Sequence, residues 1–377
     1  MNVLITGSDG FIGKNLNSYL KQEDKFSVTT FLRTDSKESL FNKVKNSDTI
    51  IHLAGENRPK DKSQFKKTNV LLTKDICEAV KKTNKKIPIF FSSSTHAESF
   101  SLLPEDSNNY NYGKSKREAE IILEEFSDSH DNPTIIYRAP GIFGKWSKPN
   151  YNSVVSTFCY NIANDLPIYI ENPETELSLV HIDDFVNQIL SDLKNIKNGL
   201  SYETINNVYS ITLGQLNKIL SKFKESRSSL IMKDIGSGIE KLLYTTYVSY
   251  LKPSNFTYKV PKYEDNRGIF VEMLKTENCG QFSYFTSKPG VTRGEHYHHI
   301  KTEKFMILNG KAKFSFRNII TSEKYEITLE GNDSKIIETP PGWTHKITNI
   351  GQDDLVAIVW ANENFDRDKP DTIAQKV

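Results

Sequence analysis

A chain of 377 residues is longer than one hydrophobic core usually supports, so two domains are the default. Its hydrophobic fraction of 37% and charged fraction of 25% describe an ordinary globular protein and argue against a disordered chain. A net charge of +2, with no basic block, argues against a nucleic-acid partner. No apolar run is long enough to cross a bilayer, and the opening residues lack the charged-then-apolar pattern of a secretion signal. Three distant cysteines, Cys77, Cys159 and Cys279, read as reduced thiols, which points to a cytoplasmic protein.

Up to about Ser249, short apolar runs alternate with helical patterns. Strands are predicted at 2–6, 28–32, 49–53, 87–91 and 134–137. Between them lie stretches such as 69–81, where Val70, Leu72, Ile76 and Val80 recur at helical spacing. This alternation predicts a doubly wound α/β Rossmann domain over residues 1–248. From residue 255 to 377 the pattern changes to the strands QFSYFTS, FMILNG, KAKFSFR, KYEITL and LVAIVWAN, separated by Gly and Asn. That half is predicted to be an all-β barrel or jelly roll. The two-proline stretch YLKPSNFTYKVPKYEDNRG reads as the junction.

Gly7, Gly10 and Gly13 follow the first strand in TGSDGFIG, and Phe11 and Ile12 open the next helix. Glycines there let backbone N–H groups approach a pyrophosphate at the helix N-terminus, which predicts a dinucleotide cofactor. After the second strand, Arg33 suits the 2′-phosphate of NADP(H), whereas Asp35 leaves NAD open. NADPH is the expected cofactor. In YNYGKSKREAE, both Tyr112 and Lys116 and the pair Tyr110 and Lys114 lie four apart on one helix. A nearby ammonium is expected to lower the phenol pKa. Spacing alone does not choose between the pairs.

The run YGKSKREAE resembles the YGxSKxxxE pattern of the extended short-chain dehydrogenases/reductases. HLAG, Asn69, FSSS, YRAPGIFG and LVHIDDF follow that family's order over the first two-thirds of the chain. The resemblance implies Ser94, Tyr112 and Lys116 as the catalytic set, with Ser93 and Thr95 as alternatives to Ser94. It also implies a cofactor site of Gly7, Gly10, Phe11, Ile12, Gly13, Arg33, Leu53, Ala54, Gly55, Asn69, Lys116 and Arg138. A nucleotide sugar is the substrate class. His181, in the last motif, is read as a structural strand-end residue.

The second half carries G-x5-H-x-H-x4-E-x6-G from Gly290 to Gly310, followed by PPGWTHKITN. Strand alternation turns His296 and His298 to one face, with Glu303 and His345 reaching the same interior and His299 facing out. Three imidazoles and a carboxylate suit one divalent metal: zinc, iron, manganese or nickel. The two elements together resemble the paired motifs of the cupin superfamily, with the second motif's leading glycine displaced to Gly331. KYEDNRGIFVEML and VTRGEHYH resemble stretches of the deoxysugar 3,5-epimerases, which implies substrate contacts by Arg267, Phe270 and Glu272. In that family the histidine matching His296 is a base without metal, so a ligand role here departs from the pattern.

The whole arrangement, to the ending NENFDRDKPDT, resembles bifunctional capsule and O-antigen enzymes that join an extended reductase to a metal cupin. The resemblance implies that the cupin epimerises C3 of UDP-2-acetamido-2,6-dideoxy-β-L-arabino-hexos-4-ulose. The reductase would then reduce C4 with NADPH to a UDP-2-acetamido-2,6-dideoxy-L-talose, a precursor of UDP-N-acetyl-L-fucosamine. A homodimer and a zinc ion are further implications. Two other readings compete: an epimerase or dehydratase that retains NAD, and a non-enzymatic sensor of NADP(H) and sugar. Arg33, and the lack of an Asp–Glu pair after FSSS, argue against the first. The joint presence of Ser94, Tyr112 and Lys116 argues against the second.

Overall fold

The computed structural model describes all 377 residues, which divide into two compact units. The first comprises Met1–Leu220 and Gly238–Lys252, the second Ser221–Ser237 and Pro253–Val377. The sequence pattern suggested one crossing near residue 250, but the chain crosses three times. Ile231–Met232 explains the difference, because it pairs in parallel with Lys275–Thr276 and adds a strand to the second unit's sheet. The apolar spacing of residues 213–229 predicts a helix whatever it packs on, so it cannot show that its second half leaves with the barrel.

In the first unit, β1 (Asn2–Thr6) leads to α1 (Phe11–Leu20), β2 (Ser27–Phe31), α2 (Lys37–Lys45) and β3 (Thr49–His52). A π-helical turn at Phe65–Leu71 runs into α3 (Leu72–Thr83), followed by β4 (Ile89–Ser94), α4 (His96–Ser99), α5 (Asn108–His130) and β5 (Thr134–Ala139). Then come β6 (Gly141–Phe143), α6 (Val154–Ala163), β7 (Glu176–His181), α7 (Ile182–Lys194), β8 (Leu200–Glu203), β9 (Val208–Thr212) and α8 (Leu213–Ser229), the helix shared between the units. After β10 (Ile231–Met232) the chain returns for α9 (Gly238–Val248).

The main sheet has the order β2-β1-β3-β4-β5-β8 and is parallel throughout. Both its faces are buried, which is why its strands read as continuous apolar runs. Leu16 and Leu20 of α1 share one core with Phe185 and Ile189 of α7, whereas Val80 of α3 and Leu123 of α5 share the other. The order in which strands are added reverses between β1 and β3, and a crevice at their carboxyl ends is where such sheets bind ligands. The strand β4 runs further than predicted, to Ser94, because Ser92–Ser94 pair in register with Tyr137–Ala139. A serine run carries no apolar signal, so the sequence hid this extension.

The second unit contains β11 (Lys262–Asp265), β12 (Gly268–Thr276), β13 (Gln281–Ser287), β14 (Thr292–Tyr297), β15 (Glu303–Asn309) and β16 (Lys311–Asn318). These are followed by β17 (Lys324–Glu330), β18 (Ile336–Thr339), β19 (Trp343–Asn349), β20 (Leu355–Ala361) and β21 (Ile373–Ala374). One sheet has the order β10-β12-β13-β20-β15-β18, with β11 alongside β12; the other is β17-β16-β19-β14-β21. Inward residues of both sheets, including Phe285, Phe305, Phe314, Phe316 and Ile347, form one core. Their alternation with outward polar residues is the half-buried strand pattern of a two-sheet barrel.

Phe90 is fully buried in the first unit and packs on Tyr137 with ring centroids 6.5 Å apart. Phe90→Ala should lower that unit's stability by ~3–5 kcal/mol through lost burial and the cavity left behind. In calorimetry the first unit's transition should move down while the barrel's transition stays in place.

Candidate active site and metal centre

The loop after β1 is built to be approached by a ligand backbone-first. Gly7 has φ +74°, and a Cβ there would lie 2.7 Å from the Ala54 amide nitrogen; one on Gly13 would lie 2.3 Å from the Gly7 carbonyl oxygen. Gly10 caps α1 without a side-chain hydrogen bond, so the first N–H groups of the helix keep their donors. The loop after β3 closes the other side of the crevice. Ala54 N–H donates to Thr6 Oγ1 at 3.2 Å, and that hydroxyl lies 2.7 Å from His52 Nδ1. Burial pushes His52 down to about 3, which keeps this ring neutral. Asn69, fully buried in the π-helical turn, accepts from Glu56 N–H at 2.7 Å and donates to the Glu56 carbonyl at 2.9 Å. Its position thus holds the loop Leu53–Gly55 rather than projecting freely.

At the carboxyl end of β2, Asp35 is already occupied. Its carboxylate accepts from Leu32 N–H at 2.8 Å and from the Lys43 ammonium at 2.5 Å. Arg33 stays largely exposed and pairs with Glu56, a residue the sequence reading passed over. Arg138, expected as a cofactor contact, is engaged within the protein. Its Nε and Nη2 donate to Glu120 at 3.1 and 2.8 Å, and its guanidinium lies over the Tyr202 ring at 4.4 Å. Glu120 is fully buried, so the arginine serves to neutralise it. An arginine in a motif shows its charge but not its partner.

The structure separates the two tyrosine–lysine pairs. Tyr110 packs edge-on against Phe100, with Lys114 exposed beside it. Tyr112 instead lies beside the end of β4, with a hydrogen bond to Ser94, and Lys116 is buried with its Nζ donating to the Ser92 carbonyl at 2.7 Å. Ser94 is the serine that belongs to this cluster. Ser93 turns away to Glu120 and Thr95 is exposed at the start of α4.

The expected lowering of the Tyr112 pKa by Lys116 is not what the structure gives. Burial raises the phenol to about 12, with the Ser94 hydrogen bond opposing, and the lysine Nζ is 6.0 Å from the ring centroid. Burial also lowers Lys116 to about 8, although Glu120 opposes this. Tyr112 therefore keeps its proton at neutral pH and has one available to give. His96 was missed in the sequence: its Nδ1 lies 3.4 Å from Ser94 Oγ and its ring is edge-on to Tyr112. Its position two residues after the serine run was the available signal. His181 caps α7, accepting from Asp183 N–H, and packs on Phe143, as a structural strand-end residue does.

In the barrel, His296 and His345 are register partners across β14 and β19. Gly294, at φ +96°, and Glu295, at φ +63°, form the bulge that turns His296 inward. His298 follows just past β14, and Glu303 opens β15. One ligand atom from each of His296, His298, Glu303 and His345 lies within 4.8 Å of the others. Glu303 Oε2 is 3.3 Å from His298 Nε2 and 3.4 Å from His345 Nε2, while its Oε1 is 3.2 Å from Lys301 Nζ. His345 Nε2 is buried without a hydrogen bond. Burial first, then the nearby His345, lowers His296 to about 4. Three imidazoles around a carboxylate, one with a buried nitrogen that makes no hydrogen bond, form a donor set that fits a divalent cation. His299 is exposed, as expected.

A cavity of about 160 Å³ opens on this cluster, walled by Phe270, Phe285, Phe305, Phe314 and Arg293, with His296, Glu303 and His345 of the cluster itself. Of the three expected substrate contacts, only Phe270 lines it. Arg267 sits exposed on the turn after β11, held by Asp265, and Glu272 is ion-paired with Lys275 at 3.1 Å. Arg293, not singled out from sequence, reaches the cavity with a buried Nε that has no partner.

Residues 3–207, more than half of the chain, match the NAD dependent epimerase/dehydratase family, and the chain belongs to it. Residues 263–373 match the polysaccharide biosynthesis C-terminal domain. Over its full length the chain is similar to the UDP-2-acetamido-2,6-beta-L-arabino-hexul-4-ose reductase of Pseudomonas aeruginosa, with 46% identity covering 100% of this chain and 99% of that one. The crystal structure of the capsular polysaccharide assembling protein CapF of Staphylococcus aureus is similar over 100% of both chains, at 39% identity and a TM-score of 0.90. The UDP-glucuronic acid 4-epimerase of Bacillus cereus, at 17% identity and a TM-score of 0.56, covers 66% of this chain and 98% of its own, and shares the fold of the first unit.

If the four barrel residues are one metal site, His298→Ala should leave the purified protein with less than about a tenth of the wild-type metal content, because one of four strong ligands is gone. Elemental analysis of folded protein checks this; unchanged content contradicts the assignment.

Proposed function

We propose that the chain is an NADPH-dependent reductase of a UDP-linked 4-keto-6-deoxy sugar that also epimerises C3, each unit carrying one reaction. The observation that carries the first half is the Ser94–Tyr112–Lys116 cluster at the end of β4, beside a glycine loop shaped for a dinucleotide. The full-length similarity to a reductase of UDP-2-acetamido-2,6-beta-L-arabino-hexul-4-ose supports that sugar as substrate. The product is then a UDP-2-acetamido-2,6-dideoxy-L-talose.

NADPH, when bound, supplies the hydride that reduces C4. Gly7, Gly10, Phe11, Ile12 and Gly13 would hold its pyrophosphate by backbone N–H groups, with Leu53, Ala54 and Gly55 on the opposite wall. Ser94 would donate a hydrogen bond to the C4 carbonyl oxygen. Tyr112 would give its proton to that oxygen as the alcohol forms, and its raised pKa keeps the proton available until then. Lys116 would hold the nicotinamide ribose, and its buried charge would assist the proton transfer.

In the barrel, a divalent cation, which we take to be zinc, supplies polarisation of a carbonyl oxygen. His296, His298, Glu303 and His345 would hold it, and the aromatic wall of Phe270, Phe285 and Phe305 would keep water from the sugar. Arg293 is placed to meet an anionic part of the substrate. A 4-keto group acidifies the C3 proton, so epimerisation before reduction is the order that chemistry allows.

Tyr112→Phe should lower hydride transfer by ~10²–10⁴-fold while C3 proton exchange persists. Stopped-flow NADPH oxidation checks the first and exchange in D₂O the second. A mutant that oxidises NADPH at the normal rate contradicts the role. Arg33→Ala should weaken NADPH on the order of ten- to a hundred-fold, the scale of a charged hydrogen bond, and leave NADH nearly unchanged. Calorimetric titration with both cofactors decides; equal affinity of the unmodified protein for both contradicts the preference.

A further inference from the structure

We propose that Asp371, near the C-terminus, is a positioning residue for the metal centre: it holds the His298–Lys301 turn so that two of the four ligands point at one spot. The inference rests on the metal reading above and concerns residues outside the ligand set. The carboxylate of Asp371 receives three consecutive backbone N–H groups. Oδ1 and Oδ2 lie 2.9 and 3.1 Å from His299 N, and Oδ2 lies 2.8 Å from both Ile300 N and Lys301 N. Its backbone carbonyl accepts from His298 Nδ1. One residue therefore grips the turn by its side chain and the first imidazole by its main chain.

Each grip has a chemical consequence. A carbonyl oxygen at Nδ1 requires the proton on that nitrogen and makes Nε2, 3.3 Å from Glu303 Oε2, the nitrogen aimed into the cluster. The grip on Lys301 N fixes the base of a buried side chain whose ammonium lies 3.2 Å from the other Glu303 oxygen. Lys301 thus orients the second ligand while His298 is oriented directly. The rest of the tail keeps Asp371 in register. Tyr297 and His296 pair with Ile373 and Ala374, and Gln375 N donates to the Glu295 carbonyl at 2.9 Å.

The test uses the full-length protein with zinc as the probe. Zinc affinity would be measured by competition with a chromophoric chelator for the wild type, Asp371→Ala and Asp371→Asn. Asp371→Ala should weaken zinc ~10–100-fold, as expected for loss of a group that orients ligands. Asp371→Asn, which keeps one acceptor oxygen, should fall between the two. Amide hydrogen exchange without metal gives a second readout: the His299, Ile300 and Lys301 amides, which the carboxylate receives, should be protected in the wild type and exchange faster in Asp371→Ala. Should the alanine variant not fold, the asparagine variant carries the same comparison. A folded variant that binds zinc like the wild type, with those three amides still protected, overturns the role of Asp371 alone. A wild type that binds no zinc overturns the metal reading and this inference with it.

Discussion

Glu303 keeps a carboxylate inside the barrel, and the geometry around it organises the whole second unit. Burial raises its pKa, but His298, His345 and Lys301 outweigh that and hold it well below the usual carboxylate range. A buried anion is tolerated only when its partners are placed to meet it. Four separate segments supply them: the strand end at His298, the turn at Lys301, the facing strand at His345 and, through these, the C-terminal tail. The glycine bulge before His296 and the pairing of β14 with β19 bring His296 and His345 side by side at the same cluster. The first unit applies the same constraint to a different end. Burial raises the Tyr112 phenol and lowers the Lys116 ammonium, so their pKa values move apart and a protonated phenol sits beside a lysine poised near neutrality.

The two units suit successive operations on one sugar. A ketone at C4 weakens the neighbouring C–H bond at C3, so a site that polarises the carbonyl can exchange that proton. Once the ketone becomes an alcohol the C3 proton is no longer acidic, and the new configuration is kept. A polarising metal centre in one unit and a hydride site with a proton donor in the other are what such a sequence needs.

Much of this was legible in the sequence because its signals are local. Gly7, Gly10 and Gly13 occupy positions that a Cβ would block, and the alternation of His296 with His298 sets their common face. What stayed hidden depends on partners distant in the chain. Arg138 was read from its motif as a cofactor contact, but Glu120 on α5 claims it. Glu272 was read as a substrate contact, yet Lys275 pairs with it away from the cavity. Asp371 acts on His298 through a main-chain oxygen, which every residue has and no motif displays. The two tyrosine–lysine pairs share one spacing, and only the rotation of α5 against β4 puts Tyr112 beside Ser94. The sign of the Tyr112 shift also needed the structure, since burial outweighs the Ser94 hydrogen bond while the lysine ammonium turns to Ser92.

Central to this account is that one chain performs both proton exchange at C3 and hydride delivery at C4. The most direct measurement is to incubate the wild-type protein with the UDP-linked 4-keto sugar and NADPH in D₂O, then locate deuterium in the product by NMR. The account predicts a 4-hydroxy product with deuterium at C3 in the inverted configuration, and protium from NADPH at C4. A reduced product that retains protium and its original configuration at C3 would contradict it.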